Sequence, residues 1–172
     1  MECCICLEPM SVRPPKVVMA TCCGNTYHRK CMRHSLQHKT TCPLCRQEIP
    51  TSNKQSLAYI RNHVKNNKAW AFCLIGLYYL NGWGGLQKSV HLAEAFLERG
   101  ISMGHPDHFM IADAKYELAG VLRFLGTITE ERKRRASILM YEAAAAGVPR
   151  AVRLFEQNYV EIGPDGTETP MF

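Results

Sequence analysis

Hydrophobic and polar positions divide the chain into two unlike parts. Up to residue 50 the apolar residues come singly or in short runs, interrupted by Pro9, Pro14, Pro15 and Pro43. Lys16-Val17-Val18-Met19-Ala20 is partly β-branched and reads as one strand of a small hairpin, with Arg13-Pro14-Pro15-Lys16 before it as a turn or extended loop. Residues 30–37 are the one stretch of this part that reads as a helix. From Ser52 the spacing changes. Ser52 and Gln55 match a capping box, in which a serine hydroxyl accepts an early amide and a glutamine reaches back. Leu57, Ile60 and Val64 follow at helical spacing and form a stripe that needs something to pack on; Asn66-Asn67 closes the element. The pattern therefore predicts a first domain over residues 1–50 and a connector helix within 51–67.

Beyond the connector the chain repeats itself. Leu74-Ile75-Gly76-Leu77-Tyr78-Tyr79-Leu80-Asn81-Gly82 aligns with Leu118-Ala119-Gly120-Val121-Leu122-Arg123-Phe124-Leu125-Gly126, and Met103-Gly104-His105-Pro106 with Ala146-Gly147-Val148-Pro149. Each unit offers a helix, a glycine turn, a second helix (residues 90–100 and 134–146) and a Gly-x-Pro break. The spacing of about 43 residues lies in the range of stacked helical hairpins. Ala71, Gly76, Ala93, Ala119, Gly120 and Ala136 are expected to let helices approach, and Trp70, Tyr78, Phe96, Phe124 and Tyr141 to fill the gaps between them. This pattern resembles the Sel-one-like repeat family, relatives of the tetratricopeptide repeats, over two units plus a partial helix at 151–159, with an insertion at 101–110. The resemblance implies a solenoid over residues 68–159, capped by the connector helix and the partial unit, whose concave face binds protein. Residues 160–172, with Gly163, Pro164, Gly166 and Pro170, are expected to form a flexible tail.

Composition is globular, at 47% hydrophobic and 21% charged residues, so both parts are expected to fold. Every cysteine except Cys73 lies between Cys3 and Cys45. So short a segment buries little apolar surface and needs a staple, either disulfides or metal. The chain opens Met1-Glu2-Cys3-Cys4 and is polar within ten residues, so no secretory leader is read. The longest apolar run, residues 70–80, falls short of the roughly 20 needed for a membrane span. A cytoplasmic or nuclear protein with reduced thiols is expected, and metal is the staple. The net charge of +6 is uneven: Arg13, Lys16, Arg29, Lys30, Arg33, Lys39 and Arg46 face only Glu2, Glu8 and Glu48 in the first part. No aromatic-plus-arginine stripe accompanies them, so a solvated surface is expected and no nucleic-acid partner. Glu130-Glu131-Arg132-Lys133-Arg134-Arg135 reads as charges pairing locally on a helix rather than as a nuclear address.

The metal donors come in pairs. Cys3-x2-Cys6, His28-x2-Cys31 and Cys42-x2-Cys45 are turns that can point two donors at one ion, and adjacent Cys22 and Cys23 complete the set. Eight donors satisfy two ions with no open position, so the metal is structural, each ion contributing on the order of 10 kcal/mol to folding. Two zinc ions are the expected cofactors. Cys4 is left as a spare thiol, His34 and His38 read as exposed, and Cys73 reads as core.

Cys-x2-Cys, a loop, a cysteine pair, His-x2-Cys and Cys42-Pro43-Leu44-Cys45-Arg46 together resemble the RING finger family. A plant homeodomain finger usually carries Trp two residues before its seventh ligand, where this chain has Thr40. The RING resemblance implies interleaved ligation, with Cys3, Cys6, His28 and Cys31 on one zinc and Cys22, Cys23, Cys42 and Cys45 on the other. Where many members place a ligating His, this chain has Asn25, so it is similar to variants with Cys in the fourth ligand position. The resemblance further implies a ubiquitin ligase that binds a ubiquitin-conjugating enzyme charged with ubiquitin and acts by positioning, with no nucleophile of its own. Ile5, Pro43 and Leu44 would form the apolar docking patch and Leu36 would extend it. Arg46 would bridge the two partners with its planar, five-donor head. The helical repeats would recruit a protein substrate. The alternative is a non-enzymatic adaptor whose finger only mediates assembly. The expected fold class is a small α+β cross-braced two-zinc finger followed by an all-α solenoid of helical hairpins.

Overall fold

The computed structural model describes residues 2–10, 17–104 and 108–156, with the backbone of 161–162 and 168–169. The loop expected at residues 13–16, the His105-Pro106 break, the end of the partial helix at 157–159 and most of the tail lie outside the described residues. In the first part, β1 (Val17–Met19) pairs antiparallel with β2 (Thr26–His28) in the register Val17↔His28, Val18↔Tyr27 and Met19↔Thr26. Helix α1 (Arg29–His38) follows β2 directly. Tyr27 on β2 and Met32 on α1 are buried with Met10, Ala20, Cys3, Cys22 and Cys42. The cysteines are thus a large share of this small core.

Six further α-helices among the described residues make the second part: α2 (Asn53–Lys65), α3 (Ala69–Asn81), α4 (Val90–Met103), α5 (Phe109–Phe124), α6 (Glu130–Ala145) and α7 (Pro149–Glu156). Among the described residues no helix is long and apolar enough to cross a membrane. The hydroxyls of Ser52, Ser89 and Thr129 accept the amides of Gln55, Leu92 and Arg132, each at 3.2 Å, and start α2, α4 and α6. The capping box at α2 is shifted by one residue. Gln55 Oε1 accepts from the Thr51 amide at 2.8 Å and the Thr51 hydroxyl at 2.9 Å instead of reaching Ser52. Helices α2 and α6 end in the same motif. Asn67 and Gly147 stand in the left-handed region, and the amides of Lys68 and Val148 reach back to His63 and Ala143, each at 3.0 Å.

Helices α3 and α4 run antiparallel, since Gly76 faces Ala93 and Leu97 while Gly100 faces Cys73 and Ala69. A Cβ at Gly100 would lie 2.4 Å from Cys73 Sγ and 2.7 Å from its backbone nitrogen, so only glycine permits this approach. Helices α5 and α6 pack on each other as a second hairpin, and Leu97, Ile111, Leu118, Leu122, Ala136 and Leu139 join Cys73 in a core shared by both. Stripe residues Leu57 and Ile60 of α2 pack on Ala71, Ile75 and Tyr78 of α3. Two expected packing roles are not taken up: Gly120 has nothing near its missing Cβ and Phe124 is 70% exposed, while Tyr141, 42% exposed, meets Phe155 of α7 edge-on with ring centroids 6.5 Å apart. Phe124 and Tyr141 each stand two residues past an inward leucine, Leu122 and Leu139, which turns them to the far side of their helices.

The charged run at the start of α6 also differs from expectation. Glu130 and Lys133 pair locally, at 2.7 Å. Arg132 instead grips Glu94 of α4 through two bonds of 2.6 and 3.1 Å, and Arg135 reaches Glu98 at 2.6 Å. These contacts set α4 and α6 side by side in the same direction. Arg150 of α7 binds Asp113 and Glu117 of α5 at 2.8 and 2.7 Å. Within the segment expected as a tail, Glu161–Ile162 (β3) and Glu168–Thr169 (β4) form a minimal antiparallel pair.

Candidate metal centre

Two donor clusters lie in the first part, and within each the ligand atoms are all within 4.8 Å of one another: Cys3, Cys6, His28 and Cys31, and Cys22, Cys23, Cys42 and Cys45. Three short loops build them. In the first, the Cys3 amide donates to Glu8 at 3.0 Å, the Leu7 amide donates back to Cys3 at 2.9 Å, and Leu7 has φ 60. The Cys42 loop repeats this with Gln47 at 2.7 Å, the Arg46 amide at 3.0 Å and Arg46 at φ 62. The fold places two thiols three residues apart on one side of a tight turn. The third loop has the same backbone, but Ala20 holds the first-ligand position: Ala20 donates to Asn25 at 2.9 Å and accepts from Gly24 at 2.7 Å, and Gly24 has φ 78. Cys23 then stands at the second-ligand position and Cys22 just before it. This is how an adjacent pair reaches a single cluster.

The donor geometry fits zinc. A tetrahedral ion with Zn–S near 2.3 Å separates its sulfurs by roughly 3.8 Å. Cys23 and Cys42 Sγ lie 3.8 Å apart and Cys22 and Cys45 Sγ 3.5 Å apart. In the other cluster His28 Nδ1 is 3.3 Å from Cys6 Sγ and 4.0 Å from Cys31 Sγ. Burial raises the thiols of Cys22 and Cys31, the latter to about 11, with neighbouring sulfurs adding to it. Burial also opposes ionisation of Cys3 and Cys42, yet donors outweigh it and bring both to about 6. For Cys3 these are the backbone at Cys6, His28 and Ile5; for Cys42, the Tyr27 hydroxyl and the backbone at Cys45 and Leu44. Each cluster therefore holds an easily ionised thiol beside one that stays protonated until a cation offsets the charge. The His28 amide lies 3.3 Å from Cys3 Sγ and the Tyr27 hydroxyl 3.4 Å from Cys42 Sγ, so both clusters carry supporting donors. Cys4 is exposed, belongs to neither cluster and sits 3.9 Å from Asn25 Oδ1.

The helical part touches the metal loops directly. His63 Nε2 of α2 lies 2.9 Å from the Cys22 carbonyl, and Trp70 of α3 covers Gly24, where a Cβ would meet the indole at 2.3 Å. The Tyr59 hydroxyl donates to the Glu48 carbonyl at 3.2 Å, and Met19 of β1 packs on the helical core. None of these contacts is visible in spacing, because His63 lies 41 residues from Cys22.

Of the apolar surface residues, Ile5 and Leu44 stand on the loops between the paired ligands, 38% and 50% exposed, with Pro43 and Arg46 exposed beside Leu44. Leu36 is half-buried on α1 and lines a hollow of about 420 Å³ with Val18, Arg29, Met32, Arg33 and Gln37, to which neither Ile5 nor Leu44 contributes.

The Ring finger domain family matches residues 1–46. Over 54 residues the chain is 33% identical to the E3 ubiquitin-protein ligase AIP2 of Arabidopsis thaliana, covering 31% of this chain and 17% of that protein. Over a 184-residue alignment it is 26% identical to the putative RING-H2 finger protein ATL37 of the same plant, covering 92% of this chain and 47% of that one. The chain thus spans less than half the length of these relatives. No solved structure matches. The N-terminal segment is a RING-type zinc finger whose two clusters fit two zinc ions.

Proposed function

We propose that this chain acts as a RING-type ubiquitin ligase, with the finger recruiting a ubiquitin-conjugating enzyme and the helices recruiting a substrate or partner protein. The observation that carries the reading is the exposure of Ile5 and Leu44 on loops held by metal ligands. Apolar side chains there gain little from folding, and rigid loops present them to a partner at low entropic cost. Pro43 stiffens the second loop. Arg46, exposed next to the last ligand, provides donors for bridging the conjugating enzyme and ubiquitin, so that a substrate amine meets the thioester in a productive arrangement. Leu36 extends the contact only through the α1 hollow. The likeness over 54 residues to a protein named as a ubiquitin ligase supports the same reading.

The helical part fits a short solenoid of the Sel-one-like kind. Its support is the antiparallel α3/α4 hairpin, the α5/α6 hairpin, the parallel α4 and α6, and the shared turn after α2 and α6. In that arrangement α2 and α7 cap the stack. A cytoplasmic or nuclear site of action fits reduced, metal-bound thiols.

Purified protein incubated with activating enzyme, ubiquitin and a panel of conjugating enzymes is expected to build ubiquitin ladders, with two zincs per chain by mass spectrometry. Leu44→Ala and Arg46→Ala are expected to lower ladder formation at least about tenfold while keeping both zincs, as loss of a central contact does. Two zincs with no ladder for any conjugating enzyme would leave the adaptor as the function.

A further inference from the structure

The helical part does more than carry the finger, because one of its side chains holds the peptide between two adjacent metal ligands. We propose that His63, steadied by Trp70, is a positioning residue for the Cys22/Cys23/Cys42/Cys45 site, which the finger alone leaves incompletely set. This inference rests on two-zinc occupancy and not on ligase activity.

The three ligand loops supply the argument. In the Cys3 and Cys42 loops the first ligand is itself pinned by two backbone bonds, one from its amide and one to its carbonyl. In the third loop both equivalent bonds belong to Ala20, which has no donor for a metal. Cys22 stands two residues farther on, where the finger offers a single longer bond, from the Cys23 amide to the Ala20 carbonyl at 3.2 Å. The Cys22 carbonyl, on the opposite edge of the same peptide, is held by His63 Nε2 at 2.9 Å. A carbonyl only accepts, so this nitrogen carries the proton. The Cys22 carbonyl belongs to the rigid plane joining Cys22 to Cys23. Holding that oxygen as well as the Cys23 amide fixes rotation of the plane, and with it the directions in which both Cβ atoms leave the backbone. Two thiols on neighbouring residues converge on one ion over a narrow range of that rotation.

His63 is itself fixed. It occupies the last turn of α2, and its carbonyl accepts the Lys68 amide at 3.0 Å in the turn that leads to α3. Its ring lies 4.8 Å from the Trp70 ring, tilted by 51°. The same indole covers Gly24, the residue after Cys23. The start of α3 and the last turn of α2 therefore grip the third loop at the peptide between its two ligands and at the residue that follows them. Among the described residues the other cluster receives no comparable support from α2 to α7: its supporting donor, the His28 amide, comes from the finger itself.

The test is zinc release from full-length protein carrying two zincs, followed with a colorimetric chelator. His63→Gln keeps an N–H able to reach the carbonyl, whereas His63→Glu has the same shape and only acceptors. The expected result is that His63→Glu and His63→Ala release one zinc per chain at least about tenfold faster, the range seen for lost supporting partners of metal ligands. The second zinc and the thermal midpoint of the helical circular-dichroism signal should stay unchanged. His63→Gln should fall within about threefold of wild type on that scale. Cys22→Ser, which should lose the same fast zinc, identifies the site. Equal release rates for the Gln and Glu variants would overturn the proposal. So would acceleration of both zincs together with a lowered helical midpoint, which marks general destabilisation. Wild-type protein holding a single zinc would instead remove the two-zinc premise on which the site stands.

Discussion

Two residues show how far a single side chain is constrained here. Gly24 combines a φ of 78 with an indole 2.3 Å from the position of a Cβ. Gly24→Ala therefore meets a left-handed backbone and an overpacked contact together, for a combined cost of about 2–4 kcal/mol. Chemical denaturation should show that loss, and zinc bound by the Cys22 cluster should become easier to remove. Cys73 is the contrasting case, a thiol with no role in metal binding. Burial pushes it up to about 12 from an ordinary 9.0. The raised value means that the folded state favours the thiol, so its stabilising contribution is complete below pH 9 and is lost as pH rises toward 12. At neutral pH a thiol reagent should label Cys73 only at the rate of unfolding. Cys73→Ala should flatten the decline of stability between pH 8 and 10.5 relative to wild type.

At the scale of elements, helix starts and cross-helix ion pairs share the work of aligning α4 and α6. Thr129 caps α6 one turn from Arg132, and Arg132 also donates to the Leu125 carbonyl at 3.3 Å. Thr129→Ala should cost about 1 kcal/mol, measured as a shift in denaturation midpoint at constant slope. The Arg132–Glu94 pair has two bonds and side chains only 24% and 22% exposed, whereas Lys133–Glu130 is far more open at 46% and 88%. Double-mutant cycles should accordingly give a coupling of about 1 kcal/mol or more for the first pair and close to zero for the second.

At the scale of the molecule, two cores of different kinds sit against each other. The finger's core is largely its own ligands with Tyr27, Met10 and Met32, while the helices share an apolar core from α3 to α6. Chelation of zinc should therefore unfold residues 17–49 and leave most of the helical circular-dichroism signal intact. Hydrogen exchange should collapse through the finger and rise at the end of α2, where His63 and Tyr59 lose the Cys22 and Glu48 carbonyls. Loss of helicity in step with zinc would show instead that the helices depend on the finger for their own stability.

What the amino-acid order determined by itself was local. Ligand pairs separated by two residues, the Ser52 cap, the stripe of Leu57 and Ile60 and the glycine turns are set by bonds that close within a few residues, so they are legible without a fold. The tertiary structure decided what lies at long range. It turned Phe124 outward, sent Arg132 and Arg135 to α4, and set His63 and Trp70 against the Cys22 loop. It also shows how Cys22 joins the donor cluster: Ala20 takes the usual first place in a turn whose shape depends on backbone bonds rather than side-chain type. Periodicity specifies which face of a helix is buried, but not which neighbour buries it. That choice belongs to the packing of α2 to α7 with one another and with the finger.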